Sequence, residues 1–148
     1  GVMRIEKGHA AGNELNGTTT ALNLGLGRMV SKTKDSIGSI LSEREGLTRD
    51  DALIQVGFKP VDPNDPVVAG SHLMNIDDPA NAAHDQGYIT SAAYSPCLES
   101  SIGIGFLENG ATRKGEIIRA MNPVEGSEIM VEVVSAHFVD PEGERLRA

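Results

Sequence analysis

The sequence predicts an α+β chain whose larger, C-terminal part is an antiparallel barrel or sandwich. Three observations carry this. Six short strand-like runs follow one another from residue 52 onward, turns rich in Pro and Gly separate them, and no intervening helix is long enough for a parallel crossover. The composition agrees: 17 Gly and 7 Pro stand beside only two Tyr, three Phe and no Trp in 148 residues, which describes many turns around a core of Ile, Val, Leu, Ala and Met.

The elements follow in chain order. Residues 2–6 (VMRIE) alternate apolar and polar side chains as a half-buried strand does, and with only Gly1 before them they read as a cut edge inside a larger protein. Residues 8–20 (GHAAGNELNGTTT) form a shaped polar loop of the length that commonly serves a function. Residues 22–30 are apolar but interrupted by Gly25 and Gly27, which favours a strand with close backbone approach. Asp35 or Ser36 can cap a helix running to Glu45, with Ile37, Ile40 and Leu41 on one face and Gly46 as its stop. Six strand candidates then follow at 52–59, 72–76, 86–93, 102–107, 116–120 and 128–136, with turn signals such as VDPNDP, DDPAN and NPVEG between them. In the last, Glu128 and Glu132 alternate with Ile129, Val131 and Val133, so one face is wet. The polar end DPEGERLRA reads as a tail anchored at its start by His137, Phe138 and Val139.

Charge divides the chain. Residues 1–49 hold seven Lys and Arg against five Asp and Glu, whereas residues 50–148 hold six against sixteen, which places a boundary between 49 and 50. A formal net charge of -8 repels a phosphate backbone, so no nucleic-acid partner is expected. No run approaches the roughly 20 apolar residues of a membrane helix, and the first ten residues lack a secretory apolar region; no membrane role is expected. A single cysteine, Cys97, allows no intrachain disulfide, and a cytoplasmic location follows as the simplest expectation.

Nucleotide-loop, zincin and serine-hydrolase motifs are absent, and His9, His72, His84 and His137 are scattered, so no metal site is expected. Cys97 has no His or Lys beside it and reads as a small buried hydrophobe. Glu6 is the carboxylate of interest. It ends the first element, lies between Arg4 and Lys7, and precedes the polar loop, a place where a side chain can project into a cleft. Its two oxygens match two parallel N–H donors, as a guanidinium or the 2-amino/N3–H edge of a pterin presents. The alternative is an ordinary surface ion pair with Arg4 or Lys7.

Three stretches, RIEKGHAAGNELNGTTTALNLGLGRMV, DSIG and QGYITSAAYSPCLESSIGIGFL, carry a family resemblance over almost the whole chain. They resemble the aminomethyltransferases, a family that includes the glycine-cleavage T-protein and the dimethylglycine and sarcosine oxidising enzymes. In that family R-[LI]-E-x-G opens the segment, as at Arg4 to Gly8. A G-x-[DE]-[LIM] stretch with a Thr pair follows, as at Gly12 to Leu15 and Thr18 to Thr20, and a G-x-[IV]-T-S-x-x-x-S-P-x-L run comes later, as at Gly87 to Leu98. The runs RIEKGH, GNELNG, GLGRM and DPEGERL are most similar to the α subunits of heterotetrameric sarcosine oxidases. Ala21 stands where T-proteins usually have Pro after the Thr pair, which also favours that branch.

The resemblance implies a six-stranded antiparallel β-barrel (residues 50–148) preceded by the C-terminal piece of an α/β folate-binding domain (residues 1–49). It implies that Glu6 holds the pterin of tetrahydrofolate, with Arg4 in the same motif and Arg145 a candidate for the anionic folate tail, and that Tyr88, Thr90 and Ser91 are barrel framework. No catalytic residue is expected in the chain. The implied activity is that of sarcosine oxidase: oxidative demethylation of sarcosine, with the one-carbon unit captured as 5,10-methylenetetrahydrofolate. FAD, FMN and NAD would belong to the whole complex rather than to this chain. Its partners would be the missing N-terminal part of the same subunit and the other subunits, and the isolated fragment would be inactive. Two alternatives stay open: a fragment of a T-protein or dimethylglycine-type transferase, and a non-catalytic barrel that serves subunit assembly.

Overall fold

The computed structural model describes residues 1–145 and Arg147. Six strands form its body: β1 (Leu53–Pro60), β2 (His72–Met74), β3 (Gly87–Ser95), β4 (Ser100–Glu108), β5 (Ile117–Asn122) and β6 (Ser127–Val134). They pair in the order β1-β4-β3-β2-β5-β6, all antiparallel, and β6 returns to β1 through Gly57↔Val134 to Pro60↔Val131. The sheet therefore closes as a barrel rather than splitting into a sandwich, and every strand candidate corresponds to one of its strands. Closure removes the free edges that an open sheet would have to protect.

Alternation along the strands fills the interior. Val56, Phe58, Leu73, Leu107, Ile118 and Val133 are almost wholly buried there, each apolar side chain contributing about 1.5–3 kcal/mol. On β6, Val131 and Val133 point inward while Glu128 and Glu132 stay exposed, as the alternation requires. At Gly105 on β4 a side chain has no room, since a Cβ would press into the carbonyl of Tyr88 on β3.

The pairing of β3 with β4 holds the irregularity that shapes the rest. Ile89 faces Gly105, but the next pair is Ser91 with Ile104, so Thr90 is an extra residue, a β-bulge. One inserted residue reverses which side chains point inward. Ile89 packs in the barrel core, yet after the bulge it is Ala92 that packs against that core, and Ser91, Ala93 and Ser95 turn to the outer surface.

A second apolar cluster lies on that outer surface, where Ile5, Ile102 and Ile104 pack with Ala93, Leu98, Ala136 and Phe138. Ile5 belongs to α1 (Val2–Glu6), a helix where the sequence reading expects a strand. The reason is topological: β4 and β3 already have two neighbours each, so a segment laid over them finds no edge and must satisfy its backbone within itself. Gly8 ends the helix at φ +73°, with its N–H bonded to the Ile5 carbonyl, and a Cβ there would come within 2.5 Å of the Ala136 carbonyl oxygen.

Two further expectations are corrected. Residues 22–30 are not a strand but a run of turns and one 3-10 turn, Gly27–Met29. Asn23 takes the pairing role alone: its carbonyl accepts the Gln55 N–H at 2.7 Å and its side-chain amide donates to the Leu53 carbonyl at 2.8 Å, covering the half of β1 that β6 does not reach. The helix expected from 35 or 36 to 45 shrinks to one turn, α2 (Ser39–Ser42), and Ile37, Ile40 and Leu41 are exposed rather than packed. A helix this short needs an apolar partner to persist, and none of the described residues supplies it.

Candidate functional site

Three consecutive residues of α1 meet the three outward side chains of β3. Arg4 reaches Ser91, Ile5 packs in one cluster with Ala93, and Glu6 reaches Ser95. The bulge at Thr90 aims all three positions of the strand, and the tight end of α1 at Gly8 aims all three of the helix.

The site has two carboxylates with different surroundings. Glu14, in the 3-10 turn Gly12–Glu14, is fully buried. It accepts hydrogen bonds from the Ser91 hydroxyl at 2.6 Å and the Ala11 N–H at 2.9 Å, and it pairs with the Arg4 guanidinium at 3.3 Å. Arg4 also donates to Ser91 Oγ at 2.6 Å and to the His9 carbonyl at 3.1 Å. Burial alone would push the Glu14 carboxyl up, but the hydrogen bonds and the Arg4 charge outweigh it and hold it below the usual carboxylate range. Glu14 is a satisfied structural anion that fastens the loop after α1 to the barrel.

Glu6 is left differently. It is 8% exposed, and its Oε1 accepts the Ser95 hydroxyl at 2.6 Å. The expected ion pairs go elsewhere: Arg4 pairs with Glu14, and Lys7 reaches Asp140, with 3.6 Å to its carboxylate. No cation among the described residues pairs with Glu6, and its Oε2 accepts no hydrogen bond from them. The backbone of Glu6 is firmly held, since its carbonyl accepts the N–H groups of both Phe138 and Val139, so the 137–139 anchor fastens α1 from the C-terminal side. A buried carboxylate is costly without a donor set to match it. Here one oxygen is matched, the other is not, and the surrounding charge is already taken up.

Arg145 is exposed and is placed by its backbone N–H on Asp140 Oδ1 at 3.4 Å. Cys97, expected as a buried hydrophobe, is exposed in the turn after β3. Tyr88, Thr90 and Ser91 do lie in the barrel wall, but Ser91 also ties Arg4 to Glu14. Sequence reasoning missed Glu14 and Ser95 as members of the site. Both were visible inside recognised motifs, GNEL and SPCL, yet nothing local indicates that they bond to residues 77 and 89 positions away.

A cleft of about 440 Å³ opens between the loop of residues 18–23, the connection 46–53 and the rim of the barrel at Gln86, Tyr88 and Glu108. Glu6 is not among its lining residues, and its ionic pair, Arg49 with Asp51, is internally satisfied. Among the described residues no helix is long and apolar enough to cross a membrane.

Comparison with known proteins places this geometry. The glycine cleavage T-protein C-terminal barrel domain matches residues 55–140. The sarcosine oxidase subunit alpha of Rhizobium meliloti is 40% identical over 98% of the chain, and that of Corynebacterium sp. strain U-96 is 34% identical over 97%. The chain spans 15% of the length of each. An aminomethyltransferase of Francisella philomiragia is 31% identical over 93% of the chain, which spans 36% of that protein. Among solved structures, the glycine cleavage system aminomethyltransferase T of Bartonella henselae shares the fold, with a TM-score of 0.69, 23% identity, and coverage of 93% of this chain and 37% of that one.

Proposed function

The chain belongs to the glycine cleavage T-protein C-terminal barrel family, and from that premise we propose that it is part of a sarcosine oxidase α subunit in which it helps to bind tetrahydrofolate. Residues 1–49 are read as the end of a folate-binding domain and residues 50–148 as the barrel domain. The exposure of Met3, Leu22, Met29, Ile37 and Ile40, all large apolar side chains before the barrel, supports a further protein body covering that segment.

The observation that carries the folate reading is Glu6. Its carboxylate is buried, fixed by Ser95, free of any described cation, and has one oxygen that accepts no hydrogen bond from the described residues. The 2-amino/N3–H edge of a pterin offers two parallel donors without a full charge, which suits such a group better than another cation would. Each carboxylate oxygen has more than one acceptor site, so the bond from Ser95 leaves Oε1 able to take a second donor while Oε2 takes the other. Arg4 supports this arrangement from behind by tying α1 to Glu14, and Arg145, exposed on the C-terminal segment, is the residue offered to an anionic folate tail.

In the whole protein a flavin outside this chain would take two electrons from the sarcosine N-methyl group, and a folate held at Glu6 would receive the resulting one-carbon unit at N5 and N10 as 5,10-methylenetetrahydrofolate, with glycine as the leaving product. The contribution of this chain is positional. It holds the pterin so that the two nitrogens meet the electrophile rather than losing it to water. The test is a carbon balance on the whole protein turning over sarcosine. With tetrahydrofolate present, formaldehyde release should fall as 5,10-methylenetetrahydrofolate rises in equal amount. Unchanged formaldehyde release would exclude the capture step.

A further inference from the structure

We propose that Asn16 is a self-modifying residue: the backbone nitrogen of Gly17 attacks its side-chain amide, ammonia leaves, and the resulting succinimide opens to aspartate or isoaspartate, with water as the only co-reactant.

The chain holds two Asn-Gly dipeptides, Asn16-Gly17 and Asn109-Gly110. The step is the same at both. The Gly nitrogen gives its proton to water and bonds to the Asn Cγ, the carbonyl electron pair moves to Oδ1, and the Cγ–Nδ2 bond then breaks as ammonia leaves with a proton from water. Water opens the ring at Cγ to give aspartate, or at the backbone carbonyl to give isoaspartate, whose main chain carries an extra methylene. The nucleophile is tethered beside the carbon it attacks, and glycine puts no side chain in its way. What the fold adds differs between the two places.

At Asn16 three donors converge on Oδ1: the Thr18 N–H at 2.9 Å, the Thr18 hydroxyl at 2.7 Å and the Thr19 hydroxyl at 3.1 Å. An N–H can only donate, so the atom it meets is the amide oxygen. Donors aimed at an oxygen that gains charge in the tetrahedral intermediate lower the barrier, as an oxyanion hole does. Neither Nδ2, the leaving group, nor the Gly17 N–H, the nucleophile, makes a hydrogen bond with the described residues. Asn16 and Gly17 are both exposed, and no atom of the described residues lies within 4 Å of where a Cβ on Gly17 would stand, so the peptide plane can turn as the ring closes.

Asn109 is held differently. Its backbone lies in the left-handed region at φ +54°, its side chain makes no capping hydrogen bond, and its carbonyl is occupied by the Thr112 N–H and hydroxyl. Gly110 is buried, and a Cβ there would stand 2.8 Å from Val56 and 3.1 Å from the Ile54 carbonyl oxygen. The peptide between them cannot turn without breaking the 3-10 turn Gly110–Thr112.

The product has a defined place to act. Upstream Glu14 is fully buried, and downstream Asn23 accepts the Thr20 N–H at 2.7 Å and donates to the Leu53 carbonyl, so residues 16–19 span two fixed points. The added methylene of isoaspartate must displace Thr18 and Thr19, which line the cleft of about 440 Å³ at the barrel rim.

The experiment ages the whole protein, as expressed from its gene, in mildly alkaline buffer. Both sites are followed by peptide mass mapping, with enzymatic methylation of isoaspartate as a second readout and thermal unfolding as the control on folding. Asn16 should convert at least about tenfold faster than Asn109, and the difference should collapse in urea, where the converging donors are lost. Thr18→Val combined with Thr19→Val removes two of the three donors and should slow Asn16 several-fold; if the hydroxyls only braced the loop, the same variant would react faster. Equal rates at the two sites in the folded protein, a difference that survives in urea, or unchanged or faster conversion in the double variant would each overturn the proposal.

Discussion

Glu14→Ala tests how the segment before the barrel is fastened to it. The substitution removes a fully buried carboxylate that accepts from Ser91 at 2.6 Å and Ala11 at 2.9 Å and pairs with Arg4 at 3.3 Å. Each neutral hydrogen bond is worth about 1 kcal/mol net and a charged one about 1.5–3 kcal/mol. Arg4 retains 30% side-chain exposure and can recover some hydration, which puts its share at the low end, and the variant is spared the cost of burying the anion. The expected loss is about 2–4 kcal/mol, a large part of the roughly 5–15 kcal/mol that holds a domain folded. In urea, with a slope of about 1–3 kcal/mol per M, the midpoint should fall by at least about 0.7 M at unchanged slope. Ser91→Ala, which takes away the hydroxyl and leaves the Arg4–Glu14 pair, should cost less. A Glu14→Ala midpoint within error of the parent would refute the idea that this network carries the attachment.

Acid should act through the same group. The Glu14 carboxyl titrates below its ordinary value, so its contribution is complete above the unfolded carboxylate range, about pH 4.5, and is lost as pH falls through the lower folded value. Glu14→Gln should flatten that part of the stability profile, measured by urea midpoints across pH 3–6. Glu6→Ala should lower the thermal midpoint less than Glu14→Ala does, because relief from burying the anion offsets part of the cost of leaving the buried Ser95 hydroxyl without its acceptor. Gly105→Ala should be among the most damaging substitutions in the barrel, since the new Cβ meets β3 backbone that cannot move without breaking the β3–β4 pairing; we expect loss of soluble folded protein on expression.

The strands of the barrel were legible because their information is local. Alternation in 128–136 and turn chemistry such as VDPNDP need no knowledge of the rest of the chain. What lies before the barrel was not legible in the same way. VMRIE carries a strand-like alternation, and only the closure of the barrel, which leaves it no edge to join, makes it helical. Residues 22–30 fail as a strand for a related reason, because one asparagine covers the available half-edge of β1. Glu6 could be singled out from its place in the chain and from a family motif. Its partner could not, since Ser95 reaches it only through a single extra residue at Thr90 that no periodicity announces. The Arg4–Glu6 ion pair that spacing alone allows is replaced by Arg4–Glu14, across a loop whose shape depends on that same strand.

The most direct test of the account is the dissociation constant of a reduced folate for the whole protein, measured for wild type and Glu6→Ala side by side with their thermal midpoints. The account predicts a loss of at least tenfold in affinity in a variant that still unfolds cooperatively, corresponding to one charge-assisted hydrogen bond of about 1.5–3 kcal/mol. Equal affinity in the two proteins would contradict it.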